Sequence, residues 1–68
     1  MMKTVTSDAG SPIVIESKEW QGKRIYFTTP GSKAQACWDI AQRMWLPGKF
    51  QFGHAMKAKI ASAFGLEA

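Results

Sequence analysis

The sequence has one cysteine, Cys37, and one histidine, His54. A single cysteine excludes an internal disulfide, and one Cys with one His cannot supply the three or four matched ligands of a zinc site. Adding Asp39 does not complete a set, because on the helix expected around it Asp39 points away from Cys37. Acids are also few: five Asp and Glu stand against nine Lys and Arg, and none lies between Asp39 and Glu67. Glu16 and Glu19 fall on opposite faces of a strand, so no two carboxylates converge in a cleft for acid–base chemistry. No apolar run approaches the ~20 residues needed to span a bilayer. The N-terminal stretch 1–11 is polar and lacks the apolar core of a secretory signal. Together with the cysteine usage this points to a reducing compartment, with a cytoplasmic location expected. Internal repeats are absent.

Other features are plentiful. At 68 residues, 46% apolar and 12% aromatic, the chain reads as one folded domain with a thin core. Trp20, Trp38, Trp45, Phe27, Phe50, Phe52, Phe64 and Tyr26 are more rings than so small a core encloses easily. Some are expected at the surface, where large rings mark partner contacts. The net charge is +4, and the stretch after Asp39 carries Arg43, Lys49, Lys57 and Lys59. That balance suits a negatively charged partner, though ordinary solubility asks for a charge of the same size.

Along the chain, residues 1–12 read as a flexible tail and 13–68 as a single α+β domain. Ile13-Val14-Ile15 and Arg24-Ile25-Tyr26-Phe27-Thr28 read as the two strands of an N-terminal β-hairpin. A two-residue loop at Gln21-Gly22 splits the apolar residues between faces. A three-residue loop, Trp20-Gln21-Gly22, gathers them on one face by setting Ile15 opposite Phe27 and Ser17 opposite Ile25. Glu19 and Lys23 then close the hairpin, and Lys18 meets Arg24 on the outer face beside Glu16 and Tyr26. Thr29-Pro30-Gly31 is a turn. Ser32 with Gln35 fits a capping box, which predicts a helix over 33–46 ended by Pro47-Gly48. Its apolar stripe is Ala34, Cys37, Trp38, Ile40, Ala41, Met44 and Trp45. Alternation over 49–52 suggests a short third strand. A second helix is expected over 54–64, with Gly65 at its C-cap and Leu66 closing the cap contact. The expected fold is a small single domain in which the hairpin, with its possible third strand, packs against two helices. The expected core is Ile13, Ile15, Ile25, Phe27, Cys37, Ile40, Ala41, Met44, Phe52, Met56, Ile60 and Phe64.

Function follows by elimination. On this reading Cys37 is a small buried hydrophobe, remote from use as a nucleophile with His54. The loop 28–33 does not match the Walker pattern and reads as a helix cap. The helix over 54–64 is basic but short, with too modest an apolar face for a membrane surface. The sequence therefore predicts a non-enzymatic binding protein without metal or cofactor. The first reading is contact with nucleic acid or a nucleoprotein complex, through Lys18, Trp20, Lys23, Arg24 and Tyr26 on the hairpin and Lys49, Lys57 and Lys59 toward the C-terminus. The alternative is an inhibitor or adaptor that blocks a host protein complex by direct contact. Phages and mobile elements encode many such small proteins, anti-CRISPR proteins among them, a class-level analogy only. Trp20 is the expected interface anchor there, and a free edge strand is open to homodimer formation.

Overall fold

The computed structural model describes residues 1–66. Glu67 and Ala68, the end of the expected domain, lie outside the described residues. The elements are β1 (Met2–Thr6), β2 (Pro12–Trp20), β3 (Arg24–Thr28), β4 (Gln35–Asp39), β5 (Met44–Leu46) and α1 (His54–Phe64). The strands form one antiparallel five-stranded sheet in sequence order. The architecture is therefore a β-meander with one short C-terminal helix, not a hairpin packed against two helices.

The hairpin β2–β3 has a three-residue loop, but one residue further along than expected. Trp20 pairs with Arg24, leaving Gln21-Gly22-Lys23 as the loop. Gln21 (φ 53°) and Gly22 (φ 67°) both have positive φ, as the two central residues of a type I′ turn require. The Lys23 N–H donates to the Trp20 carbonyl at 3.0 Å, and Lys23 is the extra residue that restores the face parity. Ser17 thus stands opposite Phe27, Glu19 opposite Ile25, and Lys18 opposite Tyr26. The expected Lys18–Arg24 clash of like charges does not arise.

The largest correction concerns 33–46, which is two strands and a turn. Ser32 does not cap a helix. Thr29-Pro30-Gly31-Ser32 is a turn with Pro in second place and Gly31 at φ 79°, the pattern of type II. The Ser32 hydroxyl accepts the Ala34 N–H at 3.1 Å, a local bond that competes with helix formation. The chain reverses again at 40–43. There the Asp39 carboxylate accepts the Gln42 N–H at 2.8 Å, and Arg43 takes a positive φ of 54°. Trp38 and Trp45 then face each other across β4 and β5, ring centroids 5.0 Å apart and edge-on. Both helical and strand periodicity place these two rings on one side. The strand period also buries Ala36 and sends Cys37 to the other face.

The N-terminal stretch expected as a tail contributes the edge strand β1, with Val5 buried beside Ile13 of β2. The segment 49–52 makes one parallel bridge, Gln51 to Gln35, and forms no longer strand. Like β3, α1 falls where the sequence pattern places it. Gly65 sits at φ 69°, its N–H and that of Leu66 both bonded to the Ala61 carbonyl, and Leu66 packs on the core. Gly53 gives the N-terminus no side-chain cap. So short a helix is held by packing, not by its own propensity.

The core lies between α1 and one face of the sheet. Val5, Ile15, Phe27, Ala36, Trp38 and Ile60 are buried there, with Ile13, Ile25, Trp45, Phe52, Met56 and Phe64 packed around them. Phe27 is central: Phe64 and Trp45 meet it edge-on at 5.0 and 5.6 Å. Of the expected core, Cys37 is half-buried on the opposite face, while Ile40, Ala41 and Met44 are exposed in the reversal and at the start of β5.

Two substitutions test this arrangement by urea denaturation. Phe27→Ala is expected to cost about 3–5 kcal/mol, against roughly 3–10 kcal/mol for a domain of this size. The folded baseline is expected to shrink or vanish. Cys37→Ser, on the half-open face, is expected to shift stability by less than about 1 kcal/mol. A cost near that of Phe27→Ala would place Cys37 in the core and contradict the sheet.

Candidate nucleic-acid interface

Because side chains alternate along a strand, each inward residue leaves its neighbours on the other face. Helix α1 covers one face of the sheet and leaves the other open. The open face is ordered in rows across the strands. One row runs Lys18, Tyr26, Cys37, Leu46; the next runs Trp20, Arg24, Asp39, Met44. Thr4, Val14, Glu16, Thr28 and Gln35 continue the face toward β1 and the start of β4. Trp20 is 46% exposed, Tyr26 38%, Met44 47% and Val14 42%, a high exposure for rings and aliphatic groups in adjacent strands.

Rings and cations interleave here. Trp20 and Tyr26 are diagonal neighbours across β2 and β3, a relation that sets residues about 7–8 Å apart. Arg24 and Tyr26 share one face of β3, two residues apart on the strand. The neighbouring Tyr26 phenol is the main cause of a raised Arg24 pKa; desolvation opposes it, and Coulombic interaction with Tyr26, Cys37 and Asp39 adds to it. Arg24 is cationic at every working pH. Lys18, Lys23 and Lys49 make no ion pair among the described residues.

Lys49 reaches the face through a stapled loop. The Gln51 amide donates to the Leu46 carbonyl at 2.8 Å, and Lys57 donates to the other end of the same amide. The main chain of Gln35 bonds on either side of Gln51, to Phe50 and Phe52. The result is a cavity of about 230 Å³ beside Tyr26, with Arg24, Gln35, Cys37, Leu46 and Lys49 among its walls.

Of the eight residues singled out from the sequence, Lys18, Trp20, Arg24, Tyr26 and Lys49 come together on this face. Lys23 lies beside it in the hairpin loop. Lys57 and Lys59 do not join them. Lys57 is held by Gln51 and lies 6.0 Å from the Trp45 ring centroid. Lys59 donates to the Thr6 carbonyl at 2.6 Å and to Asp8 at 3.0 Å. Lys59 thus ties the helix to the end of β1, and Lys57 ties it to the loop after β5. Gln35, Cys37, Met44 and Leu46 were missed as members of the face, and the strand alternation of 35–39 and 44–46 was their signal. Phe50, 65% exposed with Lys33 5.9 Å from its ring centroid, was missed as well. Its positive φ of 55° turns it away from the alternation that pairs it with Phe52.

Among the described residues, no three His, Cys, Asp or Glu side chains gather to hold a metal ion. No helix among them is long and apolar enough to cross a membrane. Comparison with protein-family models, with curated proteins and with solved structures returns no match for this chain.

The division of lysines is testable. Lys59→Ala removes an exposed ion pair, and its cost in urea denaturation is expected to stay below about 1 kcal/mol. Oligonucleotide binding is expected to be unchanged in the same variant. Binding lost on Lys59→Ala would move the interface to the helix side.

Proposed function

We propose that the uncovered sheet face is a binding surface for single-stranded nucleic acid. One observation carries this reading: Trp20 and Tyr26 are exposed in adjoining rows with Lys18 and Arg24 between them. Every base has a π-face, so exposed rings hold successive bases with little regard to sequence, at about 1–3 kcal/mol per base. Cations beside the rings hold the backbone. The row geometry favours single strands over duplex, because paired bases hide their faces in the stack. A basic helix in a groove, the other arrangement the sequence allowed, loses its support, since Lys57 and Lys59 are engaged in holding the helix.

A second reading rests on the same face. Val14 and Met44 add apolar surface beside Trp20, which suits a protein partner and the inhibitor or adaptor role. The two readings differ in salt response. Displacing counterions from single strands gives a slope of log K against log salt of about −0.7 per phosphate contact. Three contacts, from Lys18, Arg24 and Lys49, set an expected slope near −2.

The test is fluorescence anisotropy of labelled single-stranded and duplex oligonucleotides between about 50 and 200 mM salt. Single strands are expected to bind more tightly than duplex, with that slope. Trp20→Ala and Tyr26→Ala are each expected to weaken binding by about 1–3 kcal/mol. Lys18→Ala is expected to flatten the slope by about 0.7. No binding at the lowest salt, or binding indifferent to all three variants, overturns the reading. A stoichiometric protein complex weakened by Trp20→Ala, in a chain that binds no oligonucleotide, assigns the face to a protein partner.

A further inference from the structure

We infer that the cavity beside Tyr26 is a subsite for one unpaired nucleobase, with Gln35 reading its edge. The inference rests on the proposed single-strand reading and adds a chemical preference to it. The cavity differs from the rest of the open face in having walls. Tyr26 stands between Lys18 and Cys37 in one row, and Cys37 and Leu46 continue that row as an apolar floor. The stapled loop after β5 supplies the far side through Pro47, Gly48 and Lys49. A ring with an apolar floor suits a flat heteroaromatic group, and a phosphate alone would leave that surface unused.

The polar groups sit where a nucleotide needs them. Arg24 and Lys49 bring positive charge to the lining, placed for the phosphates flanking a base. Gln35 lies on the open face at the start of β4, and its side chain is exposed. Its amide offers one acceptor and two donors, the equipment that reads a Watson–Crick edge once the base is unpaired. The other amide in the wall, Gln51, is bonded at both ends, to Leu46 and Lys57, and so acts as structure. Gln35 is then the group on which base preference depends.

Cys37 provides the readout, since it is the only cysteine and lines the same cavity. The experiment measures alkylation of Cys37 by iodoacetamide in the intact chain, alone and with saturating oligo(dA), oligo(dC), oligo(dT) or an abasic strand of equal length. A bound base is expected to slow alkylation by about tenfold at ten times Kd. The abasic strand is expected to leave the rate near that of the free protein. Gln35→Leu is expected to narrow the differences among the three homopolymers while keeping the salt slope of binding. Salt-dependent anisotropy with unchanged alkylation overturns the subsite and leaves the sheet-face reading standing. Equal protection by the abasic strand also overturns it, since the backbone alone then covers the cavity. Absence of any oligonucleotide binding removes both. The alkylation measurement needs no variant, so it decides the matter even if Gln35→Leu unfolds.

Discussion

Ile60 and Phe64 packing on Phe27 is the contact on which the rest of the molecule depends. Among the described residues, Ile15, Phe27 and Ile60 have no exposed surface, and they come from two strands and the helix. A sheet of five strands has two faces, and an eleven-residue helix can cover only one of them. The helix has no side-chain cap and no acid in its first turn, so it exists because that face needs covering and in turn covers it. The same constraint leaves Trp20, Tyr26 and Met44 in solvent. The covered face supplies the core, and the face opposite keeps its rings exposed.

Lysine serves this packing as much as it serves charge. Lys3 points inward from the edge strand, donating to the Ala63 carbonyl at 2.8 Å with its ammonium 5.4 Å from the Phe64 ring centroid. It satisfies a carbonyl in the last helical turn and places a charge on an otherwise open edge, which discourages strand pairing there. Lys59 ties the helix to the other end of β1, and Lys57 ties it to the loop after β5. Three cations are thus engaged on the helix side, while Lys18, Arg24 and Lys49 remain on the open face. A count of basic residues in sequence cannot separate these groups.

How much was legible follows from which signals were local. The hairpin could be read because face parity is a property of loop length. An odd loop was required, and sliding it by one residue kept Lys18, Arg24, Tyr26 and the apolar residues on their expected faces, while Trp20 joined β2 and Lys23 passed into the loop. That is why Lys18, Trp20, Arg24 and Tyr26 were recognised together. The C-terminal helix could be read from its alanines and the glycine that ends it. The stretch 33–46 could not. Its apolar residues fit a helical stripe, but Trp38 and Trp45 fit a cross-strand pair equally well. The reversal between them has neither Gly nor Pro: Asp39 and a strained Arg43 make the turn. Ser32 and Gln35 matched a capping box whose serine bonds instead within a loop. β1 was hidden by its polarity, though Thr4, Val5 and Thr6 are all β-branched and alternate with the sheet. The bonds of Lys57 and Lys59 to Gln51, Thr6 and Asp8 are not legible in the sequence, because only tertiary neighbours decide whether a helical lysine is engaged.

The order in which the elements leave the ribosome gives the meander a particular folding problem. Each strand pairs with the one just synthesised, so hairpins can form as the chain emerges. The residues that bury the inner face come last, since Met56, Ile60 and Phe64 all follow the final strand. Until they emerge, Phe27, Trp38 and Trp45 belong to a sheet wet on both faces, whose apolar side has nothing to bury against. Folding is therefore postponed to the end of this stretch of chain and then occurs as one event. During that interval the bare apolar face is exposed to chaperones and to other nascent chains.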